Sequence, residues 1–227
     1  MKTVGILGGM GPEATILLMQ KVMAAVRARD DSDHVPLLVH QNPQVPSRIK
    51  ALIEGTGEDP GPTLARMARD LEAGGAQALA MPCNTAHFYA AAVREATALP
   101  FLDMLDLTAT HLAHAGARRI GMLASPATRL AGVFDAPFDN HGLTPVFLRD
   151  DAALLSVIRA VKAGEALSAL RPRLRSEAEA LIAKGADHLL IACTELSLMS
   201  DALPTQYRQH TDSLDCLTAA IVDFARA

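Results

Sequence analysis

The chain has 227 residues, half of them apolar, enough for a sizeable core in one large or two small domains. A net charge of −4 carries no basic footprint for nucleic acid, and an aromatic share of 4 % without Trp supplies no base-stacking platform. No apolar run approaches the roughly 20 residues of a membrane span, and Val4–Leu7 is too short for a signal segment, so a cytoplasmic protein without membrane or nucleic-acid partners is expected.

Thr3–Leu7 reads as a buried strand closed by Gly8-Gly9-Met10-Gly11-Pro12. Pro12 suits the first turn of a helix, where its missing N–H is not needed, and Glu13 favours the same helix start. That helix is expected to reach about Arg29. Val35–His40 is the second strand, and Gln41–Arg48 is a loop that two prolines hold extended. Glu54–Pro62 is a further loop, and Thr63 is placed as the cap of a helix ending at Gly74. Ala76–Ala80 is a short buried strand leading into Met81-Pro82-Cys83-Asn84-Thr85-Ala86-His87. Ala86–Ala96 reads as helix and Pro100–Met104 as a short strand.

The order then restarts. Leu107–Ala115 is a helix stopped at Gly116. Arg119–Ala124 echoes the first strand, with Gly121 and Leu123 in the places of Gly5 and Leu7. Ser125–Arg129 is its turn and Leu143–Leu148 a strand. Ala152–Lys162 and Glu165–Lys184 are helices, and His188–Ala192 is a strand leading into Cys193-Thr194-Glu195. Leu214–Ala225 is an amphipathic closing helix. The alternation predicts an α/β fold with mostly parallel sheets in two pseudo-symmetric lobes, residues 1–104 with 211–227 and residues 105–210, and an active site in the cleft between them.

The repeat matches Gly75 with Gly185, Leu79 with Leu189 and Cys83 with Cys193 at one constant offset. Each half therefore ends a strand in a cysteine. Ligands of parallel sheets sit at such carboxyl ends, and a helix N-terminus there lowers a thiol pKa and binds carboxylates. A lone cysteine is usually a small core hydrophobe; two at matched positions, each followed by polar residues, point to chemistry instead. Cys216, on the closing helix beside Leu217, Ile221 and Phe224, is read as core. An odd number of cysteines with no CxxC argues against a disulfide framework and a zinc site. His87, one helical turn after Cys83, keeps a Cys–His nucleophile open. Gly9-x-Gly11-x-x-Ala14 fits a dinucleotide fingerprint weakly, since Asp30, Asp31 and Asp33 precede the second strand instead of ending it. Glu195 is read as a residue that favours a helix dipole.

Four stretches carry a resemblance: Gly5–Pro12, Asn42–Arg48, Met81–His87 and Ala192–Glu195. Together they resemble the aspartate/glutamate racemase family, cofactor-independent amino-acid racemases, over nearly the whole chain. The glycine turn is similar to the aspartate racemase branch; the Asp-Ser-Gly stretch usual there in glutamate racemases is absent. Some members replace one cysteine by threonine and do different chemistry, whereas this chain keeps both. The resemblance implies Cys83 and Cys193 as the two catalytic bases, and Arg48 and Lys162 as holders of substrate carboxylates. It implies Met10, Asn84, Thr85 and Thr194 around the α-amino and α-carboxylate groups, and a homodimer.

The function expected is a racemase without pyridoxal phosphate or metal, acting on aspartate and/or glutamate. One cysteine as thiolate removes the α-proton and the other protonates the far face. A broad-specificity racemase and another thiol-dependent isomerase or lyase are the alternatives within the fold. A noncatalytic carboxylate-binding or dinucleotide-binding protein is the alternative outside it.

Overall fold

The computed structural model describes residues 1–203 and 210–227; residues 204–209, at the end of the expected second lobe, lie outside the described residues. The first half runs β1 (Val4–Gly8), α1 (Pro12–Ala24), β2 (Leu37–Gln41), α2 (Gly61–Ala73), β3 (Ala78–Ala80), α3 (Ala90–Ala96) and β4 (Phe101–Leu102). After α4 (Met104–His114) the second half runs β5 (Arg119–Ala124), α5 (Pro126–Leu130), α6 (Asp135–His141), β6 (Thr144–Val146), α7 (Ala152–Lys162), α8 (Leu167–Ala183) and β7 (His188–Ala192). It closes with α9 (Thr194–Ser197), β8 (His210–Asp212) and α10 (Ser213–Arg226).

The strands form two four-stranded sheets, ordered β2-β1-β3-β4 and β6-β5-β7-β8. Every pairing is parallel. β1, β3 and β7 are buried along their whole length, as in sheets covered on both faces. The repeat extends to packing. A Cβ on Gly5 would meet Ala76 Cβ at 2.9 Å, Leu79 Cδ2 at 3.0 Å and Leu71 Cβ at 3.2 Å. A Cβ on Gly121 would meet the repeat partners of the same three residues, Leu189 at 2.8 Å, Ala186 at 3.0 Å and Leu181 at 3.1 Å. Each half therefore needs a glycine where its first strand lies against the helix and strand that follow.

Several boundaries depart from the expected ones. α1 stops at Ala24, short of Arg29. α2 starts at Gly61, where Asp59 Oδ1 accepts from the Gly61 N–H at 2.8 Å, so Thr63 lies inside the helix and is not its cap. The strand expected at 100–104 is cut to Phe101–Leu102 because Asp103 caps α4, accepting from the N–H groups of Leu105 and Asp106. Ser125–Arg129, read as a turn, contains most of α5, and Asp135–His141, to which no element was assigned, folds as α6. Lys50–Glu54 forms a π-helical turn. α10 packs on α1 and α4. Its Leu214, Leu217 and Ile221 share a core with Val4 and Ile6 of β1. The other half builds its own core from Leu123, Leu154, Leu174, Leu189 and Ile191.

Candidate active site

In a sheet of order β2-β1-β3-β4 the chain leaves β1 and β3 in opposite directions, which opens a crevice at their carboxyl ends. The second sheet repeats this at β5 and β7. The turns after these four strands, with the Pro43–Ile49 loop and the end of α7, line one cavity of about 590 Å³. All eight residues expected from sequence lie on its wall: Met10, Arg48, Cys83, Asn84, Thr85, Lys162, Cys193 and Thr194. Glu13, Ser125 and Glu195 join them.

Cys83 and Cys193 reach the cavity from opposite halves, and each is 8 % exposed. Cys193 stands as N-cap of α9, which is only four residues long. Its thiol donates to Glu195 Oε2 at 3.0 Å. The lowered thiol pKa expected at a helix start is not found for Cys193. Burial raises it well above the ordinary value, the Glu195 charge and hydrogen bond add to that, and Lys162 opposes only in part. Burial and a neighbouring carboxylate set the direction at this helix start.

Glu195 is the residue the sequence reading missed. It is 6 % exposed, and its Oε1 is in an ion pair with Lys162, the last residue of α7. Burial works to lower the Lys162 pKa, but the Glu195 charge and hydrogen bond raise it overall, and a thiolate at Cys193 or Cys83 acts in the same direction. The one available signal was position, two residues after a site cysteine. Its partner lies 33 residues away in sequence, on another helix.

Arg48 differs from Lys162. Its Nη1 donates to Val45 O at 3.2 Å and Pro46 O at 2.8 Å, and its Nη2 to Met10 O at 3.5 Å. Its Nε is buried without a partner. Among the described residues no carboxylate pairs with it. Asn84, 2 % exposed, donates from Nδ2 to Ser213 Oγ at 3.0 Å and leaves Oδ1 buried without a donor. Thr85 Oγ1 lies 3.2 Å from Ser125 Oγ and 2.8 Å from Thr128 Oγ1, and these two lie 3.1 Å apart. This ring of hydroxyls ties the turn after β3 to the turn after β5. Thr194 is buried beside Cys193 and Glu195 on the cavity wall.

The Cys–His alternative does not fit. The Met104 N–H donates to His87 Nε2 at 3.2 Å, so the ring proton sits on Nδ1 and donates to the carbonyl of Cys83 at 2.9 Å. Burial lowers the His87 pKa against the pull of Asp103, keeping the ring neutral. It braces the backbone of Cys83 and leaves the thiol alone. The dinucleotide alternative also fails. A Cβ on Gly11 would meet Glu13 Oε2 at 3.2 Å, Glu195 Oε1 at 3.6 Å and Lys162 Nζ at 3.7 Å, so two carboxylates and a single cation already paired with one of them face the place a pyrophosphate would need. Asp30 and Asp33 instead cap a turn of 3-10 helix ahead of β2. Gly9, with φ +94°, passes so close to Asn42 that a Cβ would lie 2.4 Å from its carbonyl group. At Gly9 the turn makes room for the neighbouring loop. Cys216 sits half-buried on α10, where burial pushes its pKa up to about 11. Among the described residues no group of three or more His, Cys, Asp or Glu gathers as a metal site, and no helix is long and apolar enough to cross a membrane.

Comparison with known proteins gives this geometry a family. The chain is 26 % identical to the broad specificity amino-acid racemase RacX of Bacillus subtilis, over 96 % of each chain. It superposes on the aspartate racemase of Picrophilus torridus with a TM-score of 0.83 and 29 % identity, covering 100 % of this chain and 95 % of that one. It superposes on an aspartate racemase homologue of Pyrococcus horikoshii with a TM-score of 0.78 over the full length of both, at an identity of 21 % that speaks for the fold alone. A family model described as Asp/Glu/Hydantoin racemase matches residues 7–222, so the chain belongs to that family and is an isomerase of its racemase class.

Proposed function

We propose that the protein racemises amino acids without a cofactor, preferring aspartate and/or glutamate, with Cys83 and Cys193 as opposed acid and base on the α-carbon. The observation that carries this is the pair of thiols at equivalent strand ends, entering one cavity from two repeated halves. Inverting a stereocentre by proton exchange needs such a pair on opposite faces. The same reading takes residues 1–104 with 211–227 as one lobe and 105–210 as the other; the core that α10 shares with β1 supports it, whereas Thr211 and Asp212 pair with β7 of the second sheet. Arg48, without a carboxylate partner, receives a substrate carboxylate, and Lys162 contributes a second cation. The lone acceptor Asn84 Oδ1 suits the α-ammonium. Thr85, Thr194 and the backbone N–H groups after each cysteine surround the α-carboxylate, where charge develops as the proton leaves. Met10 closes the wall and presents its carbonyl to Arg48. The protein works in the cytoplasm as a homodimer in this reading.

The test is α-proton exchange in heavy water, run over the common amino acids as both enantiomers. Exchange with racemisation, strongest for aspartate or glutamate, is expected; no exchange with any amino acid overturns the reading. Broad specificity is a second reading, favoured by the likeness to RacX and by the Lys162 charge being already taken by Glu195. Comparable rates across neutral side chains in the same panel would establish it.

A further inference from the structure

A two-base racemase works with its thiol pair one proton short. One sulfur must be thiolate to take the α-proton, while the other must be thiol to give one. Burial opposes this at Cys193. A carboxylate already hydrogen-bonded to one of the thiols can take the proton that leaves the pair. Glu195 Oε2 already accepts from Cys193 Sγ at 3.0 Å, and its Oε1 is held by Lys162. Cys83 from the turn after β3, Glu13 at the start of α1 and Arg48 line the same cavity. Among the described residues none of these hydrogen-bonds the Cys193 thiol, and no carboxylate hydrogen-bonds Cys83. Glu195 is the carboxylate bonded to a site thiol, and that thiol is Cys193.

We propose that Glu195 is the catalytic proton acceptor for Cys193, and that Lys162 governs when it acts. The proposal rests on the two-cysteine reading above. Without substrate, the Lys162 ammonium stabilises the Glu195 carboxylate, and the thiol keeps its proton. A substrate side-chain carboxylate that takes a share of Lys162 weakens that stabilisation. The Sγ–H bond then breaks as an Oε2–H bond forms, leaving a Cys193 thiolate and a neutral Glu195. The thiolate takes the α-proton, the electron pair of the Cα–H bond stays on the substrate, and Cys83 delivers its proton to the far face. Cys83 is now the thiolate. When product leaves, the proton held on Glu195 returns to Cys83 through solvent, and the starting state is restored. A dicarboxylic substrate thus activates its own base, whereas an amino acid with a neutral side chain leaves Lys162 on Glu195.

The experiment compares wild type with Glu195→Gln and Glu195→Asp, using α-methylaspartate, which lacks an α-proton and stops at the primed state. Wild type should show a rise in the ultraviolet thiolate band when α-methylaspartate binds. Glu195→Gln should show none and should lose kcat for aspartate by about 100-fold or more in both directions. Glu195→Asp, which keeps the carboxylate, should recover part of both. A Glu195→Gln enzyme that turns over at the wild-type rate, or a wild-type thiolate band unmoved by α-methylaspartate, overturns the proposal. Cys193→Ser separates the two readings. If it is inactive while Glu195→Gln is fully active, the two-cysteine mechanism stands and the role of Glu195 falls. If it is fully active, both fall. Should Glu195→Gln fail to fold, the wild-type thiolate response still decides.

Discussion

At the scale of single residues, the site is defined by which polar groups the protein leaves without partners of its own. Arg48 has carbonyl partners and, among the described residues, no counter-ion, and the proposed function assigns its charge to a substrate carboxylate. Arg48→Ala should raise KM for aspartate by about 10- to 100-fold, the worth of a charged hydrogen bond, with a smaller effect on kcat. Steady-state kinetics in both directions checks this. L- and D-amino acids have equal free energy, so kcat/KM must stay equal in the two directions for every variant. Only the separate kcat and KM values can differ between directions. Cys83→Ser and Cys193→Ser should each lose racemisation by at least about 100-fold. Each should keep the wild-type thermal transition, because serine is close in size. In heavy water each variant should exchange the α-proton of one enantiomer only, opposite in the two cases. The cysteines were legible in the sequence because the repeat put them in register. Glu195 was not, because its meaning comes from Lys162 on a different helix.

At the scale of elements, the site turns depend on two acidic caps. Asp103 caps α4 and meets Arg94 at 2.6 Å, while the same turn presents the Met104 N–H to His87. Asp103→Ala should destabilise the protein by about 1–2 kcal/mol, read from the urea midpoint. Asp212 caps α10 and accepts from Ser197 Oγ at 2.8 Å, just beyond Cys193 and Glu195. Its neighbour Ser213 holds Asn84 beside Cys83, so one dipeptide reaches both site turns. Burial raises the Asp212 pKa from 3.8 to about 6, since its hydrogen bonds and Lys21 offset desolvation only in part. A carboxyl with a raised folded pKa favours the fold while it is protonated and disfavours it once ionised. Stability from this group is therefore lost as pH rises through about 6. Asp212→Asn removes that dependence. Its stability relative to wild type should improve between about pH 4 and pH 7, by an amount on the order of 3 kcal/mol at most. Urea unfolding of both proteins at the two pH values measures it. The caps show where sequence reading of elements ran short. Asp103 ended a strand early and Asp59 began a helix early, and both choices turn on which side chain reaches a free N–H.

At the scale of the molecule, two copies of one half-fold make a cleft that neither makes alone. The duplication predicts equivalent responses to equivalent changes. Gly5→Ala and Gly121→Ala each press a methyl group against the same three repeat-related side chains. Each should cost about 1–3 kcal/mol through overpacking, and the two losses of thermal stability should be similar. A large difference between them would show that the halves are packed to different tolerances. The other residues of the wall came with the family resemblance; by itself the sequence determined the α/β alternation, the repeat and the paired cysteines. Those rest on local periodicity and matched spacing, which a single chain displays directly. Only the tertiary structure decided that His87 braces a backbone carbonyl, that Cys193 is buried against a carboxylate, and that Lys162 is already paired. Each is a contact between groups brought together by packing across helices and halves, and hydrogen bonding and desolvation act on distance in space, which spacing along the chain does not record.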